Sequence, residues 1–193
     1  GVAASGGYYA SVSCDRIVAE PTAITGSIGV IMSHFVLQDL LENKLGIEPV
    51  VIKSGPKKDW PSYFQPLTEE QRQYLNEKLI TPAYERFVDI VADGRSSLTT
   101  EDIKRLADGS IYGAQQALDE KMIDKVGYFE QAKKEVLSLA GISEARVVEY
   151  RKPLSLSSFL ALKSKTGLKL DRAALHEMCM PQVLYLWDMA GGY

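Results

Sequence analysis

Gly1-Val2-Ala3-Ala4-Ser5-Gly6-Gly7-Tyr8-Tyr9-Ala10-Ser11 opens the chain, and Ser5 within this run has neighbours that suit a nucleophile. Small residues precede Ser5 and two glycines follow it, so the backbone can turn sharply and a substrate can approach closely. Residues 8–14 predict a short helix, which places Ser5 near a helix N-terminus, where free N–H groups favour a developing oxyanion. The residues alone leave a second interpretation open, in which the run is only a turn that leads into a helix.

Strands and helices alternate along the rest of the sequence, which predicts an α/β fold with a mainly parallel sheet. The predicted strands comprise residues 16–20, 28–32, 50–52, 111–112 and 147–150. The predicted helices comprise residues 35–44, 68–92, 101–107, 114–121 and 128–140. We assign residues 1–150 to the main part of one domain and residues 151–193 to its tail. Residues 154–187 of that tail have an amphipathic, helical pattern.

Capping signals locate the starts of two helices. Thr68-Glu69-Glu70-Gln71 has the pattern of a capping box and begins the long helix, and Thr99 or Thr100 caps the next one. Pro82 lies inside the long helix and is expected to kink it, because proline cannot donate a backbone hydrogen bond.

The composition of the 193 residues limits what the protein can bind. A hydrophobic fraction of 46% suffices for one sizeable core, and a net charge of −3 offers no basic surface for nucleic acid. Cys14 and Cys179 lie far apart without metal-ligand spacing, so no metal or cofactor is predicted. Each is expected to be a small buried residue, although an extracytoplasmic location would permit a disulfide between them. No run approaches the ~18 apolar residues that a membrane-spanning helix requires.

The sequence has few histidines that could act as a general base. His34 follows a predicted strand and His176 lies in the amphipathic tail, so both are expected to be packing or surface residues. A serine nucleophile can instead use a lysine, provided that burial lowers an amine pKa of ~10.4 by about three units. Lys57 and Lys58 follow the predicted strand 50–52 in a loop, a common position for catalytic groups.

Five pieces of the sequence occur in the order and at the spacing typical of one peptidase family. They are residues 3–9 (AASGGYY), 25–30 (TGSIGV), 52–59 (IKSGPKKD), 107–112 (ADGSIY) and 117–127. On these pieces, which extend over roughly residues 1–130, the chain resembles the C-terminal catalytic portion of signal peptide peptidases of the protease IV (SppA) type, the Ser-Lys peptidases of family S49. The resemblance implies a ClpP/crotonase-like fold, a spiral of repeated ββα units.

The resemblance also implies the role of three residues near the serine. Ser5 is implied to be the nucleophile, and the Gly6 N–H is implied to form one half of the oxyanion hole. Ser27 is implied to orient the lysine amine, whereas the residues alone identify Ser27 only as part of a glycine-flanked turn.

The general base implied by the resemblance is the lysine directly before the aspartate, which is Lys58. A shift of the alignment by one residue would select Lys57 instead. A carboxylate close to the amine would favour the charged form, which cannot act as a base. We therefore expect Asp59 to point away from the Lys58 amine.

For the whole protein, the resemblance implies a serine endopeptidase that degrades hydrophobic peptides, such as cleaved signal peptides, at a bacterial-type inner membrane. The catalytic domain is expected on the extracytoplasmic side, in a homo-oligomeric ring. The family takes its second oxyanion N–H, and its membrane anchor, from segments that would precede Gly1. The chain is therefore expected to be part of a larger protein and to lack part of the oxyanion hole, which puts its activity in isolation in question.

Two other functions share the fold that the resemblance implies. A crotonase-like acyl-CoA enzyme would use an oxyanion hole and acidic residues, without need of a serine and a lysine. A non-catalytic subunit of a membrane complex would keep the fold and lose the chemistry. The joint presence of Ser5, Ser27 and Lys58 favours the peptidase over both alternatives.

Overall fold

The computed structural model of the protein describes residues 1–150 and 183–184. Its strands are β1 (Val2–Ala4), β2 (Val18–Ala19), β3 (Ile24–Gly26), β4 (Ile31–Met32), β5 (Ile111–Gly113), β6 (Lys125–Val126) and β7 (Val183–Leu184). Its α-helices are α1 (Gly6–Ser11), α2 (Glu69–Leu75), α3 (Thr81–Gly94), α4 (Thr100–Leu106), α5 (Ala114–Asp119) and α6 (Phe129–Ala140). Two π-helical turns comprise Leu40–Lys44 and Asn76–Ile80. The chain divides into two compact units, Gly1–Val136 with Pro181–Tyr193, and Leu137–Met180.

The strands of the described residues form three small sheets. The largest has the order β1-β3-β5, with β1 parallel and β5 antiparallel to β3. Strands β2 and β6 pair in parallel, and β4 and β7 pair antiparallel. The α/β class is thus confirmed, but the expectation of a mainly parallel sheet is wrong. The chain returns from α4 along the free edge of β3 in the opposite direction, which makes that pairing antiparallel. The repeated ββα units remain a prediction.

Two predicted strands, residues 50–52 and 147–150, are absent, and the predicted strand 16–20 is shortened to β2. Residues 50–52 and 147–150 are irregular, and the Ile52 side chain is 96% exposed. β-Branched residues favour strands only where a neighbouring strand and a core receive them, and neither is present here. The predicted strand 28–32 is reduced to β4. Within the predicted helical tail, β7 is a strand, and the rest of that tail, with Cys179 and His176, lies outside the described residues.

The long predicted helix is present as α2, a π-helical turn and α3 in succession. The Thr68 side chain accepts from the Gln71 N–H while the Gln71 side chain accepts from the Thr68 N–H, so the predicted capping box is confirmed. Thr99 forms the same box with Asp102 at the start of α4. Pro82 is the second residue of α3, which begins directly after the π-helical turn Asn76–Ile80. A proline is tolerated in the first turn of a helix, where its missing N–H would have no partner within that helix.

The core joins α1 to α3, α4 and the residues after α5. Its largest fully buried side chains are Tyr8, Phe87, Ile28, Ile103, Leu106, Met122, Val12 and Val91. Helix α1 contacts α3 so closely that a Cβ at Gly94 would lie 2.1 Å from the Val12 carbonyl oxygen. The rings of Tyr9 and Phe87 meet edge to face, with centroids 5.1 Å apart. This packing holds α1, and the residue before it, against the interior.

Candidate active site

Ser5 lies at the turn between β1 and α1, in a conformation that serine rarely adopts. Its backbone angles are φ +50° and ψ −115°. Its N–H donates to the Gly26 carbonyl at 2.8 Å, and its carbonyl accepts from the Tyr9 N–H at 2.8 Å. Positive φ in a residue with a Cβ is costly and persists only where surrounding structure enforces it. A strained strand-to-helix turn of this kind is typical of a nucleophilic serine.

Ser27 comes directly after Gly26, whose carbonyl accepts the hydrogen bond from the Ser5 N–H. Gly26 has φ +83° and Ser27 has φ +51°. The Ser27 N–H donates to the Ser110 carbonyl at 2.7 Å. A Cβ at Gly26 would lie 2.6 Å from the Tyr112 ring and 2.9 Å from the Ser110 carbonyl oxygen, so only glycine fits there.

The structure therefore brings the two predicted serines together. The pairing of β1 with β3 sets Ala4 opposite Gly26, and each serine comes next in the chain after one of these residues. Ser5 is 1% exposed and Ser27 is 9% exposed. Both serines are placed by backbone hydrogen bonds and strand pairing, so their positions do not depend on flexible side chains.

Gly6 is the first residue of α1, and it is half-buried. The first N–H groups of a helix have no partner within the helix. Because the Gly6 N–H comes directly after Ser5, it is available to an oxygen bound beside the serine hydroxyl.

Residues 53–60 contain three lysines with three different surroundings. The Lys53 amine contacts both carboxylate oxygens of Asp59, at 2.8 and 2.9 Å. The Lys57 amine lies 4.1 Å from the ring centroid of Tyr74 and 5.1 Å from that of Trp60.

Lys58 has an exposed side chain, and its backbone N–H donates to the Gly55 carbonyl at 3.2 Å. Within residues 1–150, no hydrogen bond joins its amine to Ser5 or Ser27. Ser5 and Ser27 are thus neighbours in the structure, whereas no hydrogen bond connects the Lys58 amine to either of them.

The Asp59 carboxylate faces Lys53, in agreement with the expectation that it turns away from Lys58. The hydrogen bond from Lys53 is the largest influence on Asp59 and leaves its pKa below the usual range. Asp59 is therefore ionised at neutral pH, and its charge is held by an amine of the same loop.

The structure tests the expectations for His34 and Cys14. His34 shares a hydrogen bond of 2.8 Å with the Ser62 carbonyl through Nε2, and its ring packs against Tyr63. This agrees with a packing histidine. Cys14 is exposed, so the expectation that it is buried is wrong. Helix α1 ends at Ser11, and Cys14 lies in the turn that follows, outside the core.

A partly buried polar network under α1 was not predicted from the sequence. Asp124 accepts from the Ile17 N–H at 2.7 Å and from Arg95 Nη1 at 2.9 Å, and Arg95 is 6% exposed. The Tyr8 hydroxyl donates to the Met122 carbonyl at 2.9 Å. Burial raises the Tyr8 pKa to about 12, although the nearby Arg95 opposes this rise. The only sequence signal was that Asp124 lies in the last of the five motif pieces.

A cavity of about 290 Å³ is bordered by Ser27 and is lined by Val30 and Ile31. A second cavity, of about 620 Å³, shares Val30 and Ile31 and is lined mainly by apolar side chains, among them Met32 and Leu75. The apolar cavity thus adjoins the one at Ser27, and Ser5 lines neither of these two cavities.

The described residues provide neither a metal site nor a membrane-spanning helix. Within residues 1–150, no group of histidine, cysteine, aspartate and glutamate side chains is arranged to hold a metal ion. None of the helices in the described part of the chain has the length and apolar character needed to span a bilayer.

Comparison with known proteins gives one family. The sequence profile described as peptidase family S49 matches residues 1–143. A protein of Enterococcus faecium that bears the name signal peptide peptidase SppA is 42% identical over 149 residues, which are 77% of this chain and 42% of that protein. Protease 4 of Salmonella typhi is 32% identical over 171 residues, 86% of this chain and 26% of that protein. The chloroplastic serine protease SPPA of Arabidopsis thaliana is 36% identical over 132 residues, 68% of this chain and 19% of that protein. The chain thus spans less than half the length of each of these relatives.

Proposed function

The chain belongs to peptidase family S49, and from this premise we propose that the protein is a serine endopeptidase with Ser5 as nucleophile and Lys58 as general base. The observation that carries the proposal is the strained Ser5, fixed between β1 and α1 and bonded to the residue before Ser27. An acyl-CoA enzyme or a non-catalytic subunit of the same fold would have no use for a serine held at positive φ. The strain therefore favours peptidase chemistry.

In this mechanism the Ser5 Oγ attacks the peptide carbonyl while its proton passes to the neutral Lys58 amine. The Gly6 N–H donates to the oxyanion that forms. As the C–N bond breaks, Lys58 gives the proton to the leaving amine, and an acyl-enzyme remains. Water then attacks the ester, losing a proton to Lys58, and that proton returns to Ser5. Ser27 holds the amine in line through its hydroxyl.

The choice of Lys58 over its neighbours follows from what each lysine contacts. Lys53 is engaged by Asp59, and Lys57 lies over the rings of Tyr74 and Trp60. Lys58 is the lysine of this segment whose amine has no such partner within the described residues. Its exposure requires the loop to close over bound substrate, which would also remove the amine from water.

The buried state of Ser5 adds a second requirement. A side chain that is 1% exposed cannot reach a peptide carbonyl until the atoms that cover it move aside. Substrate binding is thus coupled to local opening at Ser5 and to closing of the loop of residues 53–59, which we call the lysine loop. Both movements are of the kind that limits turnover in many enzymes.

The substrates we propose are extended, hydrophobic peptides such as cleaved signal peptides, cut at a bacterial-type inner membrane by a catalytic domain on its extracytoplasmic side. The apolar cavity lined by Met32 and Leu75 supports this preference. The Enterococcus faecium relative bears the name signal peptide peptidase, which also supports signal peptides as substrates. A ClpP/crotonase-like homo-oligomeric ring would restrict access to unfolded chains. We propose no nucleic-acid partner, in keeping with the net charge of −3.

The test is active-site labelling and peptide hydrolysis by the full-length protein. Ser5→Ala should lower kcat on the order of 10⁴-fold and abolish reaction with a fluorophosphonate probe. Ser13→Ala is the matched control, since this exposed hydroxyl only bonds the Ala10 carbonyl. Retained hydrolysis in Ser5→Ala would remove the assignment. Equal kcat/KM on an apolar and a charged peptide of equal length would remove the substrate preference alone.

A further inference from the structure

The ion pair between Lys53 and Asp59 closes the loop that carries Lys58. Lys53 contacts both carboxylate oxygens, at 2.8 and 2.9 Å, across a separation of six residues. The Asp59 side chain is only 16% exposed, whereas that of Lys53 is 36% exposed. Asp59 is therefore sheltered in a fixed orientation, and Lys53 satisfies both of its oxygens.

The covalent neighbour of Asp59 is the proposed base. A carboxylate and an amine on adjacent residues can approach to a few ångströms, and that approach favours the ammonium form. A raised pKa leaves less of the amine in its neutral form, and only the neutral form can accept a proton. Some other group must then hold Asp59.

The surroundings of Asp59 leave one candidate for that role. Among the charged groups of residues 1–150, Lys53 is the one that contacts the Asp59 carboxylate. The Lys57 amine is directed to the rings of Tyr74 in α2 and Trp60 in the loop instead.

We propose that Lys53 is a positioning residue that holds the Asp59 carboxylate away from the Lys58 amine and so keeps Lys58 able to accept a proton. The proposal rests on the proposed function, in which Lys58 is the base. Lys53 does not touch substrate in this scheme. It acts only through Asp59, by competing with Lys58 for the one carboxylate of the loop.

The test is the pH profile of kcat/KM for the full-length protein with Lys53→Met, which removes the ammonium group and keeps the apolar stem. Releasing Asp59 should move the acidic limb of the kcat/KM profile to higher pH by about one unit. At neutral pH, kcat/KM should therefore fall about tenfold, whereas its value on the alkaline plateau should not change. The double variant Lys53→Met/Asp59→Asn should restore the limb. Lys53→Arg should leave it in place, and Lys104→Met, an exposed lysine of α4, is the control.

Two results would overturn the inference. One is an acidic limb in Lys53→Met that coincides with that of the wild type. The other is a loss that is equal at every pH and persists in the double variant, because a merely structural role gives that pattern. If Lys53→Met does not fold, the pH profile of kcat/KM for Asp59→Asn alone tests the inference. Its acidic limb should stay in place or move to lower pH. A shift of that limb to higher pH would contradict the inference. Failure of the proposed function is seen separately, as activity retained in Lys58→Met.

Discussion

The serine pair and the lysine loop are held by different kinds of interaction. Ser5 and Ser27 are buried and are placed by backbone hydrogen bonds, by the pairing of β1 with β3 and by the packing of α1 on α3. The loop of residues 53–59 has no strand or helix. Its conformation is supported by the ion pair of Lys53 with Asp59, by the contacts of Lys57 with two aromatic rings and by the hydrogen bond from the Lys58 N–H to the Gly55 carbonyl.

The difference indicates which half of the site is preformed. Backbone placement in a packed interior fixes the positions of Ser5 and Ser27 in the free protein, and the atoms that cover Ser5 are what must still move when substrate binds. A surface loop with few apolar contacts opens at low free energy. The lysine loop can therefore move, and its side-chain contacts decide what its lysines do.

Within the lysine loop, the largest effect should come from the lysines themselves. Lys58→Met should lower kcat at least about 10³-fold, since it removes the proposed base, while thermal stability changes little at this exposed position. Lys57→Met should cost less than about threefold, because its contact with Tyr74 is worth ~1 kcal/mol or less and supports only the loop. Steady-state kinetics with a fluorogenic peptide measure both. The reverse order of effects would move the base to Lys57.

A substitution in the serine region should act through the backbone. Gly26→Ala should lower the free energy of unfolding by about 3 kcal/mol, since its Cβ meets the Tyr112 ring and the Ser110 carbonyl at positive φ. Gly46→Ala is the matched control: φ is also positive there, at +66°, but no atom lies within 4 Å of the added Cβ. That variant should lose about 1 kcal/mol. Equal losses in urea unfolding would show that the clash at Gly26 is relieved and that the serine region is less rigid than we describe.

The network under α1 should give a pH-dependent effect. Burial alone would raise the Asp124 pKa, but the Ile17 N–H and Arg95 outweigh burial and leave it below its usual value. A lowered carboxyl pKa stabilises the fold above the unfolded-state value of ~3.9, and the stabilisation is lost as the pH falls through the lowered value. Because solvent screens this partly exposed carboxylate, Asp124→Asn should cost about 1.5 kcal/mol at pH 7 and much less at about pH 2.

Urea unfolding at the two pH values checks this prediction. Asp89→Asn serves as control, because this exposed carboxylate of α3 makes no ion pair within the described residues. A loss in Asp124→Asn that is the same at both pH values would mean that the charge of Asp124 contributes nothing.

The smallest effect should come from the helix behind the lysine loop. Thr68→Ala removes the side-chain half of the capping box of α2 and should cost about 1 kcal/mol of stability. Because Tyr74 of that helix contacts Lys57 and the Trp60 ring, and the contact is not with Lys58, kcat/KM should change less than twofold. A fall of more than tenfold in kcat/KM would show that the lysine loop depends on α2 for its geometry.

Features set by residues close in sequence could be predicted well. The capping boxes at Thr68 and Thr99 each join residues three positions apart, so no other part of the chain is needed to form them. The small residues and glycines around Ser5 likewise indicated a sharp turn, but the positive φ of Ser5 is also held by the hydrogen bond from its N–H to the distant Gly26 carbonyl. The proximity of Ser5 and Ser27 came only with the family resemblance, because it depends on the pairing of two strands.

The sequence by itself determined the α/β class, the start of the long helix and the turn that holds Ser5. The tertiary structure alone decided that residues 50–52 form no strand, that β4 pairs with Val183–Leu184, and that Arg95 meets Asp124 across 29 positions. It also separated the three lysines of one loop by their contacts. The physical reason is that a strand or a buried ion pair exists only where a distant partner is brought to it. The free energy of that contact belongs to the pair and is absent from either segment alone.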